Sequence, residues 1–164
     1  MQGGSDHLIS RLQPNQRKAD SGETDMEYPS TGAAAITAWL NLSTNTLIEM
    51  IRQGLPATAM HAVSQEYGIS LEHLCQVLGL SPQRASRRIS QQQLLDPPSS
   101  ERVLRIMHIA RTAESILGSK VLAGAWLQQH CIPLNASPLS LMDTELGGGL
   151  ALRVLASIEH GLPV

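Results

Sequence analysis

The sequence predicts an all-α protein: a helix-turn-helix domain followed by a small helical domain. Three observations carry that prediction. First, the 164 residues are 42% apolar but only 2% aromatic, with no Phe, so the core is Leu, Ile, Val, Ala and Met, a palette that suits helices better than sandwiches or barrels. Second, apolar residues recur three and four apart in window after window. Third, Leu71 to Ile89 reads as a short helix, a tight turn and a second helix. Leu74 and Leu78 share a face of the first helix, with small Cys75 at a crossing point. Gly79 supplies the left-handed backbone of the turn, and Ser81-Pro82 restarts the chain with a cap and a first-turn proline.

The elements follow in order. Residues 1–32 are polar, without a usable period, and read as a flexible arm; Arg11, Arg17 and Lys18 there read as solvated. Residues 33–96 form the helix-turn-helix domain. Ala33 to Leu42 is a short helix anchored by Trp39. Thr44 to Gln53 is the next, ended by Gly54, with Leu47, Ile48 and Ile51 on one side. Pro56 opens a third, with Met60, Val63 and Tyr67 at helical spacing and Gly68 closing it. In the helix after Ser81-Pro82, Ala85 stands where a larger apolar anchor is usual, so Ile89 is expected to supply it. Gln91 to Ser100 reads as a linker that Pro97-Pro98 keeps from being helical.

Residues 97–164 form the second domain. Ser99 or Ser100 is expected to cap a long helix with Val103, Ile106, Met107, Ala110, Ala113 and Leu117 as its buried stripe and Arg102, Arg105 and Arg111 on a solvated face. After Gly118, Lys120 to Gln129 is helical, with Val121, Leu122, Ala125 and Trp126 apolar. His130 to Ser137 is irregular, and Ser137-Pro138 repeats the cap-and-proline device. Asp143 or Thr144 caps a last helix, Glu145 to Glu159, with Leu150, Val154 and Ile158 four apart. Gly161 ends it before Leu162-Pro163-Val164, a short apolar terminus that either folds onto the core or plugs a partner's cavity.

Charge is arranged by region. The net charge is −2, yet six arginines lie between Arg84 and Arg111, and no acid occurs from His73 to Leu95. After Lys120 the only cation is Arg153, against Asp143, Glu145 and Glu159. A basic middle and a mildly acidic end point to two different partners. Cys75 and Cys131 sit in apolar settings without paired spacing, as buried reduced thiols do. No run has the length of a membrane span and the start lacks an apolar signal core, so the expectation is a cytoplasmic protein.

Catalysis finds no foothold in the sequence. Gly147-Gly148-Gly149 follows no strand and lacks phosphate-loop spacing; it reads as a close-packed first helical turn. His130-Cys131 and His73/Cys75 lack a second pair at ligand spacing, so neither metal nor cofactor is expected. The donors Ser81, Gln83, Arg84, Ser86, Arg87 and Arg88 are the candidate DNA contacts, because a recognition helix needs exposed hydrogen-bond donors for phosphates and base edges.

Several of these motifs resemble the Xre/MbcA/ParS antitoxins of RES-type toxin–antitoxin systems. The likeness runs from about Glu49 to Leu162. It includes Ile51-Arg-Gln-Gly54-Leu55, Gly79-Leu80 before Arg87-Arg88, Ser100-Glu101-Arg102 at the long helix, and Trp126-Leu127 with Ala123 three before. The most specific part is Pro138-Leu139-Ser-Leu141-Met-Asp-Thr144-Glu-Leu-Gly147, followed by Leu155, Ile158, Glu159 and Gly161. The chain departs from the pattern at His130, at Ala151 where the family has valine, and in Gly148-Gly149, which extends Gly147.

The resemblance implies a non-enzymatic antitoxin. Such a protein covers the active site of a RES-domain toxin, which consumes NAD or attaches its ADP-ribose to proteins. It also binds promoter DNA to regulate its own transcription, typically as a homodimer. Pro138, Leu139, Thr144, Gly147, Arg153, Glu159, His160, Gly161, Leu162 and Val164 then become the candidate toxin contacts. Leu162 and Val164 would bury apolar area inside a rim of Arg153, Glu159 and His160. The broad stripe of the long helix is the expected dimer face. The alternatives are a stand-alone helix-turn-helix regulator and an interaction module that has lost DNA binding.

Overall fold

A computed structural model describes residues 33–162; the expected N-terminal arm and Val164 lie outside the described residues. The described chain is all-α. Its helices are α1 (Ala33–Leu40), α2 (Thr44–Gln53), α3 (Thr58–Tyr67), α4 (Leu71–Leu78), α5 (Pro82–Ser90), α6 (Pro97–Leu117), α7 (Lys120–Gln128) and α8 (Glu145–Glu159). Two 3-10 turns, Ile132–Leu134 and Pro138–Leu141, join α7 to α8. Two isolated antiparallel bridges, Pro56 with Leu94 and Cys131 with Ala136, take the place of strands among the described residues.

Local chemistry explains where the helices start and stop. Ser43, Ser70, Ser81, Asp96, Ser119 and Thr144 each accept a hydrogen bond from a first-turn amide. Such a cap is worth about 1 kcal/mol. Gly68, Gly79 and Gly118 close α3, α4 and α6 in the left-handed conformation.

α6 is the spine. It packs on α1, α2, α3, α4, α7 and α8, and buried side chains from both halves of the chain form one cluster around it. Val103, Ile106, Met107, Ile109, Ala110 and Ala113 are all covered within the protomer. Of the stripe expected to serve as a dimer face, all but half-buried Leu117 is therefore used internally.

Three further expectations are corrected, and the buried face of α7 is defined. Pro97-Pro98 does not exclude helix: the two prolines begin α6, where first-turn amides lack intrahelical partners anyway, and Asp96 rather than Ser99 or Ser100 is the cap. Pro56 does not open α3; it lies in the bridge to Leu94, and helix begins at Thr58. On α7 the buried face is Ala123, Gly124 and Leu127, while Val121 is 79% exposed and Leu122 is also outward. The rotation follows from Gly124, which lies so close to the Tyr67 carbonyl that no Cβ fits between them. Cys75 is buried, but Cys131 is only half-buried.

Candidate functional site

The helix-turn-helix is α4, the turn at Gly79-Leu80-Ser81, and α5. Leu74, Cys75, Val77 and Leu78 bury one face of α4. Ala85 is fully buried and Ile89 packs half-buried beside the core. Ala85 itself is thus the close contact of α5, and the small side chain lets the helix lie near its support. The opposite face carries Gln83, Arg84, Arg87, Ser90 and Gln91, all exposed. Ser81 Oγ accepts from the Arg84 amide at 3.3 Å, so its hydroxyl holds the helix start. Ser86 is exposed at the edge of that face. Arg87 Nε donates to Gln91 Oε1 at 3.3 Å along the surface.

Arg88 differs from its neighbour. It is half-buried, and its Nη1 reaches both the Leu94 carbonyl and Asp96 Oδ2, each at 3.4 Å. Burial raises the Asp96 carboxyl, but the hydrogen bonds from Ser99, with Arg88 nearby, more than offset this and leave it below its ordinary value. Arg88 therefore ties the end of the recognition helix to the start of α6. Arg102 does the same one helix earlier, donating to the Leu78 carbonyl at 3.1 Å just before the turn. The arginines of α6 expected on a solvated face divide: Arg111 is exposed, whereas Arg102 and Arg105 are held.

Arg105 leads to the second surface. It pairs with Glu101 and donates to the Met142 carbonyl at 2.7 Å, fixing the loop between the second 3-10 turn and α8. Pro138 and Leu139 are buried in the second 3-10 turn and Gly147 in the first turn of α8, on either side of that loop, and a Cβ on Gly147 would overlap the Leu141 carbonyl. These three expected partner contacts support the loop from inside because their sites are already filled. Thr144 is exposed and accepts from the Gly147 amide at 3.1 Å, the α8 cap. Arg153, Glu159, His160, Gly161 and Leu162 are exposed. Leu162 is 57% exposed, and its amide donates to the Ser157 carbonyl at 2.9 Å. Leu162 is thus exposed rather than folded onto the core. Sequence reading missed Leu146, which is 83% exposed on the same helix. Its signal was the helical step from Leu146 to Leu150 to Arg153, which leads away from buried Ala151 and Leu155.

Residues 38–108 match the family model described as the antitoxin Xre-like helix-turn-helix domain. Residues 112–161 match the one described as the antitoxin Xre/MbcA/ParS C-terminal toxin-binding domain. The chain belongs to the Xre/MbcA/ParS antitoxin family. It is 24% identical over 137 residues to an Antitoxin Xre of Photorhabdus laumondii, covering 82% of this chain and 85% of that one. It is 23% identical over 139 residues to an Antitoxin Xre of Yersinia enterocolitica, covering 82% and 94%. The two family matches meet inside α6, between His108 and Thr112, so in this antitoxin one helix belongs to both parts. Among the described residues no helix is long and apolar enough to cross a membrane, and no three His, Cys, Asp or Glu side chains gather as metal ligands. Burial, with Glu72 adding, pushes the Cys75 thiol up and keeps it protonated.

Proposed function

We propose that this antitoxin neutralises a RES-domain toxin, one that consumes NAD or transfers its ADP-ribose, by covering the toxin's active site with the C-terminal end of the chain. The observation that carries the reading is an apolar side chain exposed just after α8: Leu162 is exposed beside Glu159 and His160, immediately after the part of the chain, residues 112–161, that matches a toxin-binding domain. A buried aliphatic side chain contributes roughly 1.5–3 kcal/mol, so Leu162 with Leu146 and Leu150 supplies much of a tight interface without any catalysis by the antitoxin. Arg153, Glu159 and His160 form a polar rim, and the sequence adds Val164 as a further apolar contact.

The second half of the proposal is that α5 binds the promoter of the antitoxin's own operon. Gln83, Arg84 and Arg87 are exposed on one face, with Ser86 at its edge, while Ser81 and Arg88 hold the helix in place. We place this activity in a cytoplasmic homodimer whose dimer face lies outside the stripe of α6.

The test is inhibition of the RES-domain protein encoded beside this gene, read as NAD consumption. The full chain is expected to block it, and a chain ending at Gly161 to lose most of that inhibition. Equal inhibition by the two chains would overturn the occlusion reading.

A further inference from the structure

Three glycines in a row open α8, and the fold accounts for only two. A Cβ on Gly147 would overlap the Leu141 carbonyl, and one on Gly148 would press on the aliphatic stem of Arg105. A Cβ on Gly149 would meet nothing. Gly149 is also absent from the positions with positive φ, so its backbone is open to any residue. A glycine inside a helix is disfavoured relative to alanine because it leaves more backbone freedom to lose. Nothing within the protomer requires glycine there, so the reason lies in something that approaches from outside.

The surroundings describe that visitor. Gly149 sits in a groove of about 700 Å3. Leu146 and Leu150 flank it, 83% and 40% exposed. Glu145, Arg153 and Arg105 also line the groove; Arg105 is paired with Glu101, whereas neither Glu145 nor Arg153 makes an ion pair with a described residue. Eight residues of helix separate them by about 12 Å. Exposed leucines around a position with no Cβ, with an unpaired acid two turns before an unpaired base on the same helix, fit a segment of opposite polarity whose backbone comes close.

We infer that this groove is where the toxin packs: an apolar segment crosses α8 at Gly149 between Leu146 and Leu150, presenting a cation to Glu145 and an anion to Arg153. The inference rests on the antitoxin reading and adds a contact that the chain end alone does not supply. Apart from Arg105, the groove is lined by residues of α8, all in the part matching the toxin-binding domain, and α8 ends three residues before Leu162. That continuity is why the occupant is the toxin rather than a second copy of this chain.

The experiment uses opposite signs. Gly149→Ala in the full chain is expected to raise the melting temperature, because the methyl group meets nothing. It is expected to weaken binding of the RES-domain protein encoded beside this gene by about tenfold, and Gly149→Leu by about a hundredfold, since overpacking a close contact is costly. Calorimetric titration and a thermal melt read both. Unchanged affinity in Gly149→Leu, with wild type binding, overturns the groove alone. A lowered melting temperature in Gly149→Ala overturns its premise. Loss of self-association in Gly149→Leu with toxin affinity intact makes the occupant a second copy and overturns the assignment. No binding by wild type removes the antitoxin reading and this inference together.

Discussion

Ser100 shows how much a single buried hydroxyl does here. Its Oγ donates to the Asp96 carbonyl and accepts from the Leu55 amide, both at 2.9 Å, joining the start of α6 to the loop after α2. Ser100→Ala leaves the Leu55 amide buried without a partner, which costs about 1–3 kcal/mol. Urea unfolding should register that loss, and an unchanged midpoint would contradict it. Arg87 and Arg88 give a paired test at the same scale. Replacing exposed Arg87 by Ala should flatten the salt dependence of operator binding by about one phosphate contact. Replacing Arg88, committed to Leu94 and Asp96, should weaken binding with the slope kept. A gel-shift titration across salt separates the two, and equal slope changes would restore Arg88 as a phosphate contact. The sequence could not separate these neighbours, because what distinguishes them is a linker folded back beneath one of them.

At the scale of elements, α2 and α8 were legible to the residue. Thr44–Gln53 stands between capping Ser43 and Gly54, and Glu145–Glu159 between Thr144 and Gly161; local signals alone mark both spans. The start of α6 was not legible in that way. Pro-Pro forbids a helix interior but suits a helix start, and only the Asp96 cap decides between the two. The buried face of α7 depends on the distant Tyr67 carbonyl against Gly124, which no local pattern announces. Gly124→Ala should therefore strain α7 against α3 and cost about 1–3 kcal/mol by overpacking, and a melting temperature equal to wild type would count against that packing. Tyr67 also links α3 to α6, donating to Glu114 at 3.2 Å. Burial and then Glu114 push its phenol well above the ordinary value of 10.0. Its contribution is complete below pH 10.0 and declines as pH rises through that value toward the higher folded one, because the unfolded phenol ionises first. Tyr67→Phe should flatten the alkaline loss of stability seen in pH-dependent melts; an identical alkaline limb would remove the assignment.

For the molecule as a whole, the fold places two surfaces on one spine. Arg102 reaches from α6 to the turn of the helix-turn-helix, and Arg105, one turn along, reaches the loop that precedes α8. The division into an arginine-bearing helix and an apolar carboxyl end was readable from charge and hydropathy along the chain. The face of α8 that carries Leu146 and Gly149 was not, because it emerges only once Gly147 and Gly148 are seen to be filled from inside. The central claim is that the two surfaces serve two partners, and hydrogen–deuterium exchange on the full chain tests it most directly. Adding the RES-domain protein should slow exchange across residues 145–162, and adding operator DNA should slow it across residues 82–91. Protection of α5 by the toxin with α8 left unchanged would contradict the account.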